Sequence, residues 1–297
     1  MTQINNIFDN WKARASMTSV VVSESSQSRQ LTDNQKKRID ELQTKDKLTD
    51  KQQLELTELL LKAENSKEIV LSDGYIGYLM EEYALITEGM VKVDKDFEGL
   101  QMLNGTLVEA ESLITLIQAE QKPYQPNINE NDEQDTVYNE FLSGKPDAYL
   151  GNSLMEAEEI PDIKSRFDYP TFLKKIHIPI TKAERYQVAT YCLITGAKTG
   201  FIADCLSNVH DEVKEGLKYR LFNKLQGKAA TQESPEFLKQ WAIIEKSCTF
   251  DHLHPKKRVY KRNVELFSEH EKQFLYDQIK RGRYFLNKFH EERLKLL

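Results

Sequence analysis

The sequence predicts an α/β (α+β) protein with a central mixed β-sheet flanked by helices, an N-terminal helical hairpin and C-terminal helices. Two observations lead to this prediction. Along the 297 residues, segments with helical and with strand-like apolar spacing follow one another as helices, strands, helix, strand, helices. Apolar residues make up 39% of the chain, which is enough for a substantial core.

The N-terminal part predicts an extended start, containing Arg14 and Ser16, followed by a polar loop. The runs 31–43 and 48–65 resemble each other, and each opens with Thr-Asp, a favourable helix N-cap, before Leu and Ile at helical spacing. They predict an antiparallel helical hairpin. We assign 1–70 to an accessory segment and 71–297 to the main domain. A solvated charged hairpin is the simplest interpretation, and an arm that contacts a partner is the alternative.

The middle of the chain predicts a helix at 72–87, with Tyr75, Leu79, Tyr83 and Ile86 on one apolar face. A second helix follows position 99 and is entered near Gly105, with Glu109 and Glu111 in its first two turns. The elements expected after a polar loop are strands at about 137–142, 146–150 and 157–164, helices at 169–176 and 181–196, a strand at 199–207, two helices, a strand within 257–267 and a long final helix.

Composition excludes several classes of protein. The net charge of −6 argues against coating nucleic acid by bulk electrostatics, although basic residues concentrate in 254–262 and near Arg281. No apolar run reaches the roughly 18 residues of a membrane helix, and the N-terminus lacks the apolar centre of a secretory signal, so we expect a cytoplasmic protein. Cys192, Cys205 and Cys248 have no CxxC spacing, which predicts buried thiols rather than disulfides or a metal cluster.

The stretch 144–164 carries the most suggestive chemistry. Asp147 follows Pro146 in a turn, and the segment after it predicts one strand of a hairpin. In the second strand, alternation places Asp162 and Lys164 on one face and Ile163 on the other, toward a core. Two carboxylates and an ammonium would then converge. Mg²⁺ and Mn²⁺ bind carboxylate oxygens together with water and phosphates, so a metal site is predicted; a surface ion pair is the simpler alternative.

Further motifs lie on both sides of this stretch, and together they resemble a known family. In chain order they are Gly105 to Glu109, Pro146-Asp147, Asp162-Ile163-Lys164, and Gln187 with Tyr191. This order is similar to the PD-(D/E)xK nuclease superfamily, in its lambda-exonuclease/YqaJ and RecB-like branch of phage type. The resemblance covers 99–208 and extends to Arg14 and Ser16, which look like the Arg-x-Ser segment that handles a phosphate in lambda exonuclease. It implies a restriction-endonuclease-like core.

The resemblance also implies roles for individual residues. Asp147, Asp162, Glu109 and the backbone carbonyl of Ile163 would bind the metal, and Lys164 would orient or help deprotonate the attacking water. Glu111 competes with Glu109, which we prefer because the glycine of the family lies four residues before its glutamate. Gln187 and Tyr191, on one helix face, would contact DNA or orient a catalytic group, and Arg14 with Ser16 would bind a terminal phosphate. Asp162 stands where the family often has the longer Glu.

The activity implied is that of a Mg²⁺-dependent deoxyribonuclease, with Mn²⁺ as a possible substitute. We expect an exonuclease that acts on double-stranded DNA ends in recombination, repair or phage replication, in the host cytoplasm if the protein is phage-encoded. The resemblance implies two kinds of partner. One is a single-strand annealing protein, and the other is further copies of this chain in a homo-oligomer, which would be a trimer by family likeness. The alternatives are a weak or inactive nuclease-fold module that binds DNA or a protein, and a structural phage component. The cysteines do not suit the iron–sulfur nucleases.

Overall fold

In the computed structural model, the described residues are 6–23, 33–45, 47–65, 71–91, 99–225 and 231–295. The helices among them are α1 (Thr18–Val21), α2 (Asp33–Gln43), α3 (Asp50–Asn65), α4 (Asp73–Glu88), α5 (Leu100–Leu107), α6 (Glu109–Glu120), α7 (Tyr169–His177), α8 (Lys182–Thr195), α9 (Asp211–Lys224), α10 (Pro235–Lys246) and α11 (Glu269–Leu294). The strands are β1 (Ala13–Arg14), β2 (Gln125–Pro126), β3 (Val137–Tyr138), β4 (Leu142–Gly144), β5 (Ala148–Gly151), β6 (Ala157–Arg166), β7 (Thr199–Leu206) and β8 (Val259–Asn263).

The chain divides into two compact units. The first unit combines Met1–Trp11, Ser19–Lys92 and Gln273–Leu297, and the second combines Lys12–Thr18 with Val93–Lys272. Both units therefore draw on separate parts of the sequence. The expected accessory segment, 1–70, and main domain, 71–297, follow chain order instead, and they stay a prediction.

The second unit contains a mixed sheet with the strand order β2-β5-β6-β7-β8 among the described residues. The central strands β6 and β7 are parallel, whereas β5 with β6 and β7 with β8 are antiparallel. The expected hairpin of β5 and β6 is thus present, and the expected mixed sheet flanked by helices is confirmed. The short edge strand β2 lies in the segment that the sequence predicts to be a loop. In the β6–β7 register, Lys164 faces Asp204.

Strand alternation gives the central sheet two different faces. One face packs against α6 through a buried apolar cluster that includes Leu113, Leu116, Ile163, Phe201 and Ala203. Ile163 is 7% exposed, as its predicted position toward a core requires.

The other face carries Asp162 and Lys164 and lies against α8. The closest approach is at Gly200, where a Cβ atom would come 2.6 Å from both Val188 Cγ1 and Cys192 Sγ. Only glycine allows α8 to pack this closely on β7.

A separate three-stranded sheet, β1-β4-β3, corrects the expected strand at 137–142. The chain turns at Asn139, whose side-chain oxygen accepts hydrogen bonds from the N–H groups of Phe141 and Leu142. Asn favours turns because its side chain can replace a backbone acceptor. The expected extended start containing Arg14 and Ser16 is also wrong in part, because a 3₁₀ helix at Ala15–Met17 and α1 follow β1 directly.

The helix expected to be entered near Gly105 begins later, at Glu109, and a separate helix, α5, precedes it; Val108 separates α5 from α6. Val108 has φ −108° and ψ 14°, outside the helical region. Distant contacts fix the break: Val108 itself is 3% exposed, and Asn104 in α5 accepts a hydrogen bond from the N–H of His210. Sequence spacing does not contain these long-range contacts. As a result, Glu109 stands at the first position of α6.

In the first unit, α2 and α3 form the expected antiparallel hairpin. Arg38 donates two hydrogen bonds of 3.0 Å to Glu55, and the segments 34–35 and 58–59 face each other across the same groove. Thr49 caps α3 reciprocally with Gln52. The corresponding cap expected at position 32 lies outside the described residues.

Helix α4 carries the expected apolar face only in part. Tyr75, Leu79 and Tyr83 are buried, but Ile86 is 46% exposed, which corrects its assignment to that face. Tyr75 donates a hydrogen bond to the carbonyl oxygen of Gln278 in α11. None of the helices in the described part of the chain is long and apolar enough to span a membrane.

Candidate active site

A cavity of about 660 Å³ in the second unit is lined by Glu109, Asp147, Ile163, Lys164 and Arg166. We call it the acid-lined cavity. Its charged side chains come from three places: the first turn of α6, the residue before β5, and the middle of β6. The hairpin β5–β6 and the break before α6 bring them together.

Asp147 is fixed directly before the first residue of β5. Its Oδ2 accepts a 2.6 Å hydrogen bond from the N–H of Ile163. The turn before it is held by Asn127, whose side-chain amide donates to the carbonyl oxygen of Pro146 at 2.9 Å. Burial, reinforced by the charge of Asp162, raises the pKa of Asp147 well above its usual range.

Asp162 and Lys164 form an ion pair in the wall of the cavity. Asp162 is completely buried; its Oδ2 lies 2.9 Å from Lys164 Nζ, and its Oδ1 accepts a hydrogen bond from Gln187 at 3.2 Å. Burial lowers the pKa of Lys164, but the carboxylates of Asp162 and Asp147 outweigh it, so the net effect raises that pKa. Lys164 is therefore an ammonium group. In this form it can donate hydrogen bonds but cannot accept a proton.

The two glutamates of α6 lie in different surroundings. Glu109 lines the acid-lined cavity and accepts a hydrogen bond from Gln134 at 3.1 Å. Burial raises the pKa of Glu109, with a further contribution from Asp162. Glu111, in contrast, accepts from the N–H of Asn208 and from Arg258. Only Glu109 of this pair is placed to act with Asp147 and Lys164.

Gln187 and Tyr191 connect the acid-lined cavity to a second one. Gln187 donates to both Asp162 and the hydroxyl of Tyr191, the latter at 3.0 Å. Tyr191 is one wall of a cavity of about 360 Å³, which we call the Arg14 cavity. The side chains and backbone that line it come from Arg14, Ala15, Ser16, Thr136, Ser143, Gly144, Lys145 and Tyr191. Of the predicted site residues, Glu109, Asp147, Ile163 and Lys164 line the acid-lined cavity, and Arg14, Ser16 and Tyr191 line the Arg14 cavity. Asp162 and Gln187 line neither cavity and connect Lys164 to Tyr191 through their contacts.

The donor set suits a hydrated divalent ion. Within the ranges that the structure describes, no three His, Cys, Asp or Glu side chains are grouped closely enough to enclose a metal. Glu109 and Asp147 both line the cavity, however, and Mg²⁺ is commonly bound by one or two carboxylates with water and phosphate oxygens. The buried Asp162 Oδ2 makes no hydrogen bond to the described residues besides its ion pair. These oxygens fit a hard cation that keeps part of its water.

Sequence reasoning missed a buried charge cluster next to the cavity. Asp204, which is completely buried, pairs with Arg166 and Arg262, and Arg262 also contacts Glu184. Two signals were available in the sequence. The alternation that joins Asp162 to Lys164 continues to Arg166, and Asp204 is a single charge in an otherwise apolar strand.

Two solved structures are similar to this chain over nearly their full lengths. The phage related exonuclease from Haemophilus somnus 129PT has a TM-score of 0.55 and 13% identity, covering 97% of this chain and 99% of its own. The alkaline exonuclease (LHK-Exo) from Laribacter hongkongensis has a TM-score of 0.50 and 10% identity, covering 97% and 96%. No family model and no curated protein matches the sequence.

At such low identity the likeness concerns the fold, and it agrees with the resemblance that the motifs carry. With 97% of this chain covered, the similarity extends over both units. The chain therefore has the fold of phage-related and alkaline exonucleases.

Proposed function

We propose that the chain is a Mg²⁺-dependent deoxyribonuclease, with Mn²⁺ as a substitute, that hydrolyses phosphodiester bonds as an exonuclease at double-stranded DNA ends. The main support is the convergence of Glu109, Asp147 and Lys164 on one cavity, with Asp162 held between Lys164 and Gln187. These residues come from separate elements of an exonuclease-like fold. An arrangement kept only for stability would not need three carboxylates whose charges repel one another.

Glu109, Asp147, Asp162 and the carbonyl oxygen of Ile163 would hold the ion. A bound Mg²⁺ would supply a water of lowered pKa and charge stabilisation at the scissile phosphate. Asp162 would bind through Oδ2, because Gln187 already donates to Oδ1.

Lys164 acts as a fixed donor in this proposal. Its ammonium, held by Asp162, donates to the attacking water or to a phosphate oxygen where negative charge develops. The raised pKa of Lys164 favours this orienting role over that of a base. Gln187 keeps Asp162, and through it Lys164, in place.

The Arg14 cavity would receive the terminal phosphate. A guanidinium group and hydroxyl groups, here from Arg14, Ser16 and Ser143, are common partners of phosphate oxygens. Tyr191, which lines this cavity, accepts a hydrogen bond from Gln187, and Gln187 also donates to Asp162; these contacts support a position close to the proposed cleavage site. A role in recombination, repair or phage replication, an annealing partner and a homotrimer belong to the same proposal, supported by the family resemblance alone.

The test is cleavage of an end-labelled DNA duplex in Mg²⁺ by the wild type, Lys164→Ala and Asp162→Ala. We expect each variant to lose at least about 10²-fold in rate, because Lys164→Ala removes a transition-state donor and Asp162→Ala removes a proposed metal ligand. Lys122→Ala is the matched control, because Lys122 pairs with Glu159 and does not line the cavity. Equal activity in all four proteins contradicts the assignment. Duplex binding without cleavage by the wild type supports the alternative, an inactive nuclease-fold binding module.

A further inference from the structure

The acid-lined cavity contains a second cation, Arg166, for which the proposed reaction gives no role. On β6, Arg166 follows Asp162 and Lys164 at two-residue spacing, so the three side chains share one face. Arg166 lines the cavity, and 16% of its side chain is exposed. A guanidinium therefore stands next to the ammonium of Lys164 in the same wall.

Two contacts with Asp204 fix the position of the Arg166 guanidinium. Asp204 Oδ1 accepts a 2.5 Å hydrogen bond from Arg166 Nε and also pairs with its Nη2. Asp204 Oδ2 accepts a 2.7 Å hydrogen bond from Arg262 Nε. Arg262 is 6% exposed and lies 3.3 Å from Glu184, which caps α8. The guanidinium of Arg166 thus rests on a buried carboxylate that is itself fixed on its other side.

Neutralising Asp204 does not require Arg166, since Arg262 already supplies one buried guanidinium. The contacts of Arg166 with the described residues use Nε and Nη2, and none involves Nη1. Two residues along a strand correspond to about 6.6 Å, a step of the same order as that between consecutive phosphates in a nucleic acid strand. Lys164 and Arg166 are therefore spaced for two neighbouring phosphates.

We propose that Arg166 binds the phosphate next to the scissile one on the strand being cut, and that Asp204 and Arg262 are its positioning residues. The inference rests on the proposed nuclease function and adds a second phosphate subsite to the same cavity. The substrate class is then a strand with at least two consecutive phosphodiesters. A guanidinium suits this position because Nε and Nη2 are held by Asp204 while the N–H groups of Nη1 can donate charge-assisted hydrogen bonds to the phosphate.

The experiment is a double-mutant cycle between protein and substrate. Cleavage is measured on duplexes that carry one neutral methylphosphonate, placed on either side of the scissile phosphate, with the wild type and Arg166→Gln. In the wild type, one of the two methylphosphonates should lower kcat/KM about tenfold or more, the usual effect of losing a charged hydrogen bond. In Arg166→Gln, the same methylphosphonate should have no further effect. Additive losses at both positions overturn the proposal.

Arg185→Gln is the matched control for a purely structural role. Arg185 also forms a two-pronged, partly buried ion pair, with Glu271 at 2.8 Å, but it does not line the cavity. Its loss should lower Tm while the methylphosphonate penalty stays at the wild-type value. If Arg166→Gln behaves in the same way, Arg166 is structural and the subsite is refuted.

Two further measurements keep the test decisive if the first variant does not fold or the wild type does not cut DNA. If Arg166→Gln does not fold, Arg166→Lys retains a cation but loses the guanidinium, and it should weaken the methylphosphonate penalty; an unchanged penalty overturns the subsite. The cycle is also measured as the Kd of the same duplexes in the Lys164→Ala background. If the wild type cuts no duplex, the proposed function fails, whereas coupling between Arg166 and the flanking phosphate is still read from these Kd values.

Discussion

Gln187 and Tyr191 link the acid-lined cavity to the Arg14 cavity, and the two cavities differ in how they are built. In the first, two carboxylates and two cations line the cavity, and one of the cations, Lys164, pairs with the completely buried Asp162. In the second, Arg14 and Ser16 are exposed and the wall depends on the absence of a side chain at Gly144. If the proposed roles are right, the site of cleavage depends on charged groups fixed by buried contacts, whereas the site for the terminal phosphate depends on open space and an exposed cation.

The largest expected effect is a difference in cleavage rate between variants of the two glutamates of α6. Glu109→Gln should lower cleavage in Mg²⁺ by about 10²-fold, because it removes a candidate metal ligand while keeping size and hydrogen bonding. Glu111→Gln should leave the rate within a few-fold and lower Tm instead, since Glu111 supports Asn208 and Arg258. The readout is the rate as a function of Mg²⁺ concentration. The reverse outcome would make Glu111 the functional residue.

A smaller effect is expected at Arg14. Arg14→Ala should lower kcat/KM about tenfold on duplexes whose ends carry a phosphate and should not affect those whose ends carry only hydroxyl groups, because the proposed contact is a charged hydrogen bond to the terminal phosphate. The two duplexes are compared with the same protein, so any general loss of stability cancels. Equal losses on both ends would remove the terminal phosphate from the Arg14 cavity.

The link between the cavities can be broken at Gly144. A Cβ atom there would lie 2.6 Å from Tyr191 Cε1 and 3.1 Å from Ala15 Cβ. Gly144→Ala should cost about 1–3 kcal/mol in the free energy of unfolding, the usual effect of overpacking, and should lower activity by displacing Tyr191. Denaturant titration measures the first effect and the cleavage assay the second.

Gly77→Ala is the control for this prediction. Gly77 lies inside α4, and a Cβ atom there has nothing within 4 Å. Alanine should therefore stabilise the helix by up to about 1 kcal/mol. A Gly144→Ala protein as stable and active as this control would show that Tyr191 can move without consequence.

The smallest expected effect is the pH dependence of stability through Glu184, behind the acid-lined cavity. Burial alone would raise the pKa of Glu184, but hydrogen bonds from Thr181 and Arg262 lower it to about 2. A depressed pKa stabilises the folded state above the unfolded pKa of about 4.3, and this contribution is lost as the pH falls toward 2. Glu184→Gln should cost about 1 kcal/mol at pH 7.

The measurement is the difference in Tm between the wild type and Glu184→Gln from pH 7 downward. It should be constant above about pH 5 and shrink below the unfolded pKa of about 4.3. A difference that stays constant to pH 2.5 would show that the charge of Glu184 is not what stabilises the end of α8.

The sequence alone predicted most of the fold class and the order in which the candidate site residues follow one another along the chain. The helical spacing of apolar residues and the capping residues predicted α8 from Thr181 to Gly196. Strand alternation predicted that Asp162 and Lys164 lie together. Both patterns depend only on neighbours within a few residues. Local patterns failed where distant contacts decide, at the break at Val108 and the turn at Asn139.

Only the tertiary structure distinguished Glu109 from Glu111, because the break at Val108 sets which of them faces Asp147 and which faces Arg258. Only the parallel register of β6 and β7 brought Asp204 behind Arg166. Such pairings join residues about 40 positions apart, and no spacing along the chain encodes them. The sequence thus supplied the chemical groups of the site, and long-range packing determined which of those groups meet.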